Sequence, residues 1–210
     1  MEVRLYQYIL LLAFIVALWL RRSNKIPFLV PFLALAVFFE LILGKMMKYY
    51  YDTNILSTNL FSIICVYYYL FLFTRHLDRK WIWILGTGYT IALMIGAYFQ
   101  GFVVIMSIAY NAGMIMVIST IFKYLYDLII RDEYKPLYQI PLFWLALGIL
   151  LFYSASFPLL NFLNRFIAAD REYAIKMIKM LSLGNIFLSL GYLGAILCQK
   201  NIKTSSASLP

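Results

Sequence analysis

Seven runs of about 20 predominantly apolar residues, separated by short polar or charged breaks, dominate this chain. The apolar periodicity places them at 5–20, 26–44, 55–74, 81–99, 102–123, 138–160 and 177–198. Each is close to the length at which a helix rising 1.5 Å per residue crosses a hydrocarbon core of about 30 Å. The first is short for that task, so its start is expected to extend to Met1. The fifth is expected to run past the membrane, because helical spacing continues from Lys123 to Ile130. The fourth and fifth form one apolar block, divided here at Gln100-Gly101, where a polar and a flexible residue permit a tight turn. Six spans is the alternative if that division fails.

Composition agrees with this reading. Only 13% of the 210 residues are charged while 64% are apolar, too little charge to cover a soluble surface. The fold class expected is all-α, a polytopic transmembrane bundle of seven helices forming one domain over 1–200, followed by a polar, disordered tail at 201–210. Loops this short leave no room for a folded soluble domain. Pro27 and Pro31 fall in the first turns of the second span, and Pro136 and Pro141 in those of the sixth, where a missing N–H costs little. Pro158 is expected to kink or end the sixth span.

Lys and Arg set the orientation. With the N-terminus outside and the C-terminus inside, the inner segments are 21–25, 75–80, 123–136 and the tail after Cys198, which hold 11 of the 18 basic residues. Outer charges at Arg165, Asp170, Arg171, Glu172 and Lys176 largely neutralise one another. The first apolar run lacks a small-x-small cleavage site and is followed by Arg21-Arg22, so it reads as a retained anchor. The localisation expected is a multi-pass membrane protein of a bacterial inner membrane. A net charge of +9 is of the sign that attracts nucleic acid, yet the basic residues sit at span ends, where topology accounts for them. Membrane lipids, with anionic headgroups on the inner face, are the expected partners, and direct nucleic-acid binding is not.

Catalytic chemistry has little to work with. The single histidine, His76, lies among Arg75, Arg79 and Lys80, surroundings that repel a metal ion, and no nucleophile motif accompanies it. Most carboxylates (Asp78, Asp127, Asp132, Glu133, Asp170, Glu172) lie in or beside loops with basic neighbours. Asp127 and Arg131, at i and i+4, are expected to pair. Residues 181–197 contain no lysine, which excludes a retinal Schiff base in the last span. Gly86-Thr87-Gly88 lies inside a span and reads as close helix packing rather than a phosphate loop. Cys65 and Cys198 fall at different depths, so no disulfide is expected; Cys198 is either a juxtamembrane acylation site or a small apolar residue at a helix end. No metal or cofactor is expected, and no enzyme activity; a lipid-active enzyme is the third reading, behind the two below, because no acid/base pair is present.

Polar residues inside the spans are the candidates for function. Glu40 lies well inside the second span, where an isolated charge costs at least a few kcal/mol. It is either an ion or ligand contact or a structural partner of Lys45 or Lys48. Asn185, Ser189 and Tyr192 follow i, i+4, i+7 spacing along the last span, Asn59 and Ser62 share a face of the third, and Ser107, Tyr110 and Asn111 mark the fifth. Such stripes must face the protein interior, as a ligand-lined path or as glue between helices. Gly184, Gly191 and Ala195 form a small-residue seam. Tyr67, Tyr68 and Tyr69 lie deep in the third span and need hydroxyl partners, whereas Tyr49, Tyr50 and Tyr51, with Trp81 and Trp83, suit membrane interfaces. The ligand- or ion-binding candidates are therefore Glu40, Asn59, Ser62, Tyr68, Asn111, Asn185, Ser189 and Tyr192. Contact with a cytoplasmic protein falls to Arg75, His76, Arg79, Asp127 and Arg131.

The stretch from Leu5-Tyr6-Gln7-Tyr8 to Phe38-Phe39-Glu40-Leu41-Ile42, then Asn59-Leu60-Phe61 and the tyrosine-rich run, resembles small seven-span membrane proteins common in Bacteroidota. The family's Glu-Leu pair in the second span is matched by Glu40-Leu41, and its Asn-Ile/Leu-Phe element in the third by Asn59 to Phe61. Members often carry glutamate where this chain has Cys65, which tells against a proton relay. Some members look like membrane partners of sensor kinases; an accessory protein of an RNA-targeting defence system is a more remote likeness. Seven spans without a soluble domain fit a sensor or signalling component that passes a membrane or outer-face cue to a cytoplasmic partner through the 75–80 and 123–136 loops. The alternative is an oligomeric pore, channel or membrane effector, associated with defence, whose interior is lined by the polar stripes and Glu40.

Overall fold

The computed structural model describes residues 5–20, 26–51, 54–75, 77, 79–102, 104–130, 136–169 and 171–206, with 79, 158–169, 171–179 and 199–206 described by backbone alone. Among them there is helix and no strand. The order is α1 (Leu5–Trp19), α2 (Leu29–Val37), a π-helical turn (Phe38–Leu43), α3 (Gly44–Tyr51), α4 (Ile55–Thr74), α5 (Arg79–Gln100), α6 (Ser107–Ile130), a short 3₁₀ turn (Leu137–Gln139), α7 (Pro141–Ala169) and α8 (Arg171–Ser206). Because α2, the π turn and α3 are continuous, the described residues form seven helical rods.

Five stretches are long and apolar enough to cross a membrane: Leu29–Tyr51, Ile55–Thr74, Lys80–Gln100, Ser107–Ile130 and Met180–Cys198. Leu5–Trp19 and Pro141–Phe157 are apolar but shorter. The outward surface is as apolar as the packed one. In α1, Tyr6, Leu10, Ala13 and Ala17 are buried on one face while Leu5, Leu12, Ile15 and Leu18 stand exposed on the others. On α5, Tyr89 is buried and Ile84, Ile91, Met94 and Ile95 are exposed. A helix apolar on every side suits hydrocarbon rather than water.

Several boundaries differ from those read in the sequence, each for a local reason. The division at Gln100-Gly101 is real: α5 ends at Gln100, and Gly101 takes φ 71°, a conformation that glycine adopts readily. Residues 101–106 are then a connection rather than the start of the next span, and α6 begins at Ser107 and runs to Ile130. The second rod starts at Leu29, after Phe28 turns the chain at φ 56°, and continues to Tyr51 instead of stopping at 44. Pro31 lies in its first turn and Pro141 is the first residue of α7, positions where no intrahelical N–H is lost. Pro136 lies outside α7, before the 3₁₀ turn. Pro158 does not end its helix, since α7 runs through it to Ala169. Residue 201, where a polar tail was expected to begin, is still within α8, which extends to Ser206.

The chain divides into two compact units. The terminal unit comprises Met1–Val37 and Tyr134–Pro210, and the central unit Phe38–Glu133. In the terminal unit α7 packs extensively along α8, α1 lies against α8, and α2 against α1. Small residues set the α7–α8 distance: a Cβ built on Gly191 would come within 2.9 Å of Gly148 Cα and 3.0 Å of the Trp144 carbonyl oxygen. Gly184 faces Ala155 and Phe152 in the same way, so the seam read at 184 and 191 is the surface on which α7 rests. In the central unit α4, α5 and α6 pack against one another, and Gly113 of α6 fits between Val66 of α4 and Tyr89 of α5.

Candidate functional site

The candidates divide between the two units, and most in-span polar groups whose partners are defined bind the protein's own backbone. Asn59, on the second turn of α4, is buried and faces the 101–106 connection. Its amide nitrogen donates to the carbonyls of Phe102 at 3.1 Å and Val104 at 2.8 Å, and Met106 N donates to its Oδ1 at 3.4 Å. One side chain thereby satisfies backbone groups that no helix serves. The need is physical: backbone N–H and C=O groups outside regular helix must find partners elsewhere. Gln100 completes the junction, donating from Nε2 to Ser107 Oγ at 2.7 Å and accepting from Ile108 N at 3.2 Å. It acts as a cap on the first turn of α6, whose N–H groups lack intrahelical acceptors. Sequence reading found Asn59 and used Gln100 only as a break; the spacing gave no sign that both clamp the same loop.

Deeper in the central unit the tyrosine run is resolved into distinct roles. Thr90 donates to the Gly86 carbonyl at 2.8 Å, so Tyr67 donates to Thr90 Oγ1, also at 2.8 Å. The Tyr67 and Tyr89 rings meet edge to face with centroids 5.1 Å apart. Tyr68 and Tyr69 are buried, their rings tilted at 5.9 Å, and Tyr69 hydrogen-bonds Cys65. Glu40 occupies the π turn, half-buried. Beside it Phe39 stacks on Phe61 at 5.4 Å, pinning the turn to α4. Ser62 and Asn111 are half-buried. Among the described residues no three His, Cys, Asp or Glu side chains are gathered to hold a metal.

At the end of α6, Asp127 pairs with Lys123, one turn earlier, and Lys123 also lies over the Tyr126 ring at 5.4 Å. Lys123 meets Asp127 with i, i+4 geometry inside α6; Arg131, the partner expected for Asp127 from spacing, lies outside the described residues, as does His76. Arg75 is exposed just after α4, and Arg79 opens α5 and is described by backbone alone.

In the terminal unit the polar stripe of α8 turns toward its neighbours. Ser189 is buried and donates to the Tyr6 carbonyl of α1 at 3.5 Å. Tyr192 is buried with its ring 5.9 Å from that of Phe32 on α2. Asn185, half-buried, donates to Leu181 O one turn back at 3.2 Å. Cys198 is buried and donates to the Tyr138 carbonyl at 3.4 Å, the same oxygen that accepts Trp144 Nε1 at 2.8 Å. Of the two readings of Cys198, this geometry fits the structural one.

Comparison with protein-family models, curated proteins and solved structures finds no match to this chain.

Proposed function

We propose that this chain is a multi-pass protein of a bacterial inner membrane, its seven helices crossing with the N-terminus outside and the C-terminus inside. It acts as a sensor or signalling component that carries a membrane or outer-face cue to a cytoplasmic partner, without chemistry of its own. The likeness to small seven-span proteins of Bacteroidota supports the same reading. The observation that carries it is the use made of the polar side chains. Asn59, Ser189 and Asn185 spend their hydrogen bonds on backbone groups within their own unit, and Gln100 spends its on Ile108 N and the Ser107 hydroxyl. A conduit needs such groups turned toward water, whereas a rigid transmitting bundle needs them to fix helices and connections.

The second reading, an oligomeric pore, draws on Glu40, an ionisable group in a π turn at membrane depth. Purified chain reconstituted into liposomes loaded with a self-quenching dye separates the two. The signalling reading expects the dye retained and no ion current across a planar bilayer. A steady current that changes with Glu40→Gln would establish the pore instead.

A further inference from the structure

We propose that one end of the central unit is a recognition surface for anionic phospholipid headgroups, built from Arg75, Lys80 and Lys123 with Trp81, Trp83 and Tyr126. The inference rests on the membrane-spanning reading above and adds a lipid class to it.

Three helices deliver these residues to the same end. The last turn of α4 lies beside the last turns of α6, with the Phe73 and Tyr124 rings 5.5 Å apart. α5 begins only a few residues after α4 ends. Arg75, Lys80 and Lys123 are all exposed there. So are the indoles of Trp81 and Trp83 and the phenol of Tyr126, 48%, 70% and 59% accessible. Phe122, Ile129 and Ile130 add exposed apolar surface beside Lys123. Cations interleaved with amphipathic rings and bare aliphatic side chains match the boundary where phosphates meet acyl chains. A nucleic acid would leave that aliphatic surface in water.

The rest of the central unit sharpens the contrast. Residues 81–122 contain no Lys, Arg, Asp or Glu. The junction of α5 and α6 is closed by the neutral amides of Asn59 and Gln100. Lys45 and Lys48 belong to α3, which starts close to Ser57 at the first turn of α4, and Glu40 precedes them in the chain. Asp127 offsets Lys123 in part, so Arg75 and Lys80 carry most of the attraction.

The test is electron paramagnetic resonance of the full chain in phosphatidylcholine vesicles, with spin-labelled phosphatidylglycerol or phosphatidylcholine as probe. The expected result is a motionally restricted lipid fraction in which phosphatidylglycerol is favoured about threefold, a preference that shrinks in 1 M salt. The triple variant Arg75→Gln, Lys80→Gln, Lys123→Gln should bring the ratio near unity with the restricted fraction unchanged, and Lys48→Gln should leave the preference intact. Equal partition of the two probes, a preference that survives the triple variant, or an equal loss in Lys48→Gln overturns the proposal while the membrane reading stands. Absence of any restricted fraction overturns both.

Discussion

Asn59 shows how much a single amide can carry in an apolar layer. Its three contacts hold the 101–106 connection by backbone groups that have no helical partner, and leucine of similar size would leave them unpaired. Asn59→Leu should therefore cost about 1–3 kcal/mol, read as a lowered unfolding midpoint in detergent. Ser62→Ala, on the same helix, should stay within about 0.5 kcal/mol; equal losses for the two would mean the clamp contributes nothing. Gly113 is the packing counterpart. A methyl group there meets Val66 Cγ2 and Tyr89 Cε2, both at 2.8 Å, and Tyr89 is buried in the core. Gly113→Ala should lose about 1–3 kcal/mol by overpacking. Asp127→Asn, which removes an ion pair whose lysine is half in solvent, should change stability by less than about 0.5 kcal/mol.

At the scale of elements, the α7–α8 contact depends on glycine, and two substitutions of identical chemistry should part company. Gly191→Ala pushes a methyl group to 2.9 Å from the Gly148 backbone, which cannot yield as a side chain could. Gly86→Ala on α5 meets nothing within 4 Å and gains helix propensity, worth about 0.5–1 kcal/mol. Thermal unfolding of the two variants should move in opposite directions, and a matched response would refute the role given to the seam. The sequence made the number of rods legible because apolar runs and charged breaks are a one-dimensional signal. It made the seam legible because small residues at helical spacing repeat along one face. Helix ends were less legible. The stretch 171–176 is charged yet helical, since α8 continues beyond its apolar core, where hydropathy no longer marks the helix. The π turn at Phe38–Leu43 has no compositional mark at all, because Phe-Phe-Glu-Leu-Ile-Leu would suit an α-helix equally well. Asn59 was legible as a polar residue in an apolar span, but its partners lie more than 40 residues away and are backbone, invisible to any reading of side-chain spacing.

For the whole molecule, the charge pattern and helix ends together turn the proposed membrane reading into an orientation that can be checked in cells. Arg75 and Lys80 follow one end of α4, while Lys48 and the Tyr49–Tyr51 run precede the other. Under the proposed orientation, positive-inside bias predicts the 75–80 connection in the cytoplasm and the 52–53 connection outside. α6 continues to Ile130, so the same orientation predicts its Lys123–Asp127 pair at the inner interface with Arg75 rather than at mid-membrane, where such a pair would be costly. In a Cys65→Ala, Cys198→Ala background, Thr53→Cys should react with an impermeant maleimide added to intact cells, and His76→Cys should react only after permeabilisation. The reverse pattern would invert the bundle and carry the cationic end to the outer leaflet. Labelling of both sites from outside would mean that α4 does not cross. The same variants report on α5, since Gly101→Cys and Thr53→Cys must label from the same side if α4 and α5 form an antiparallel pair across the membrane. Opposite labelling of those two positions is incompatible with the Asn59 clamp, which ties the start of α4 to the end of α5.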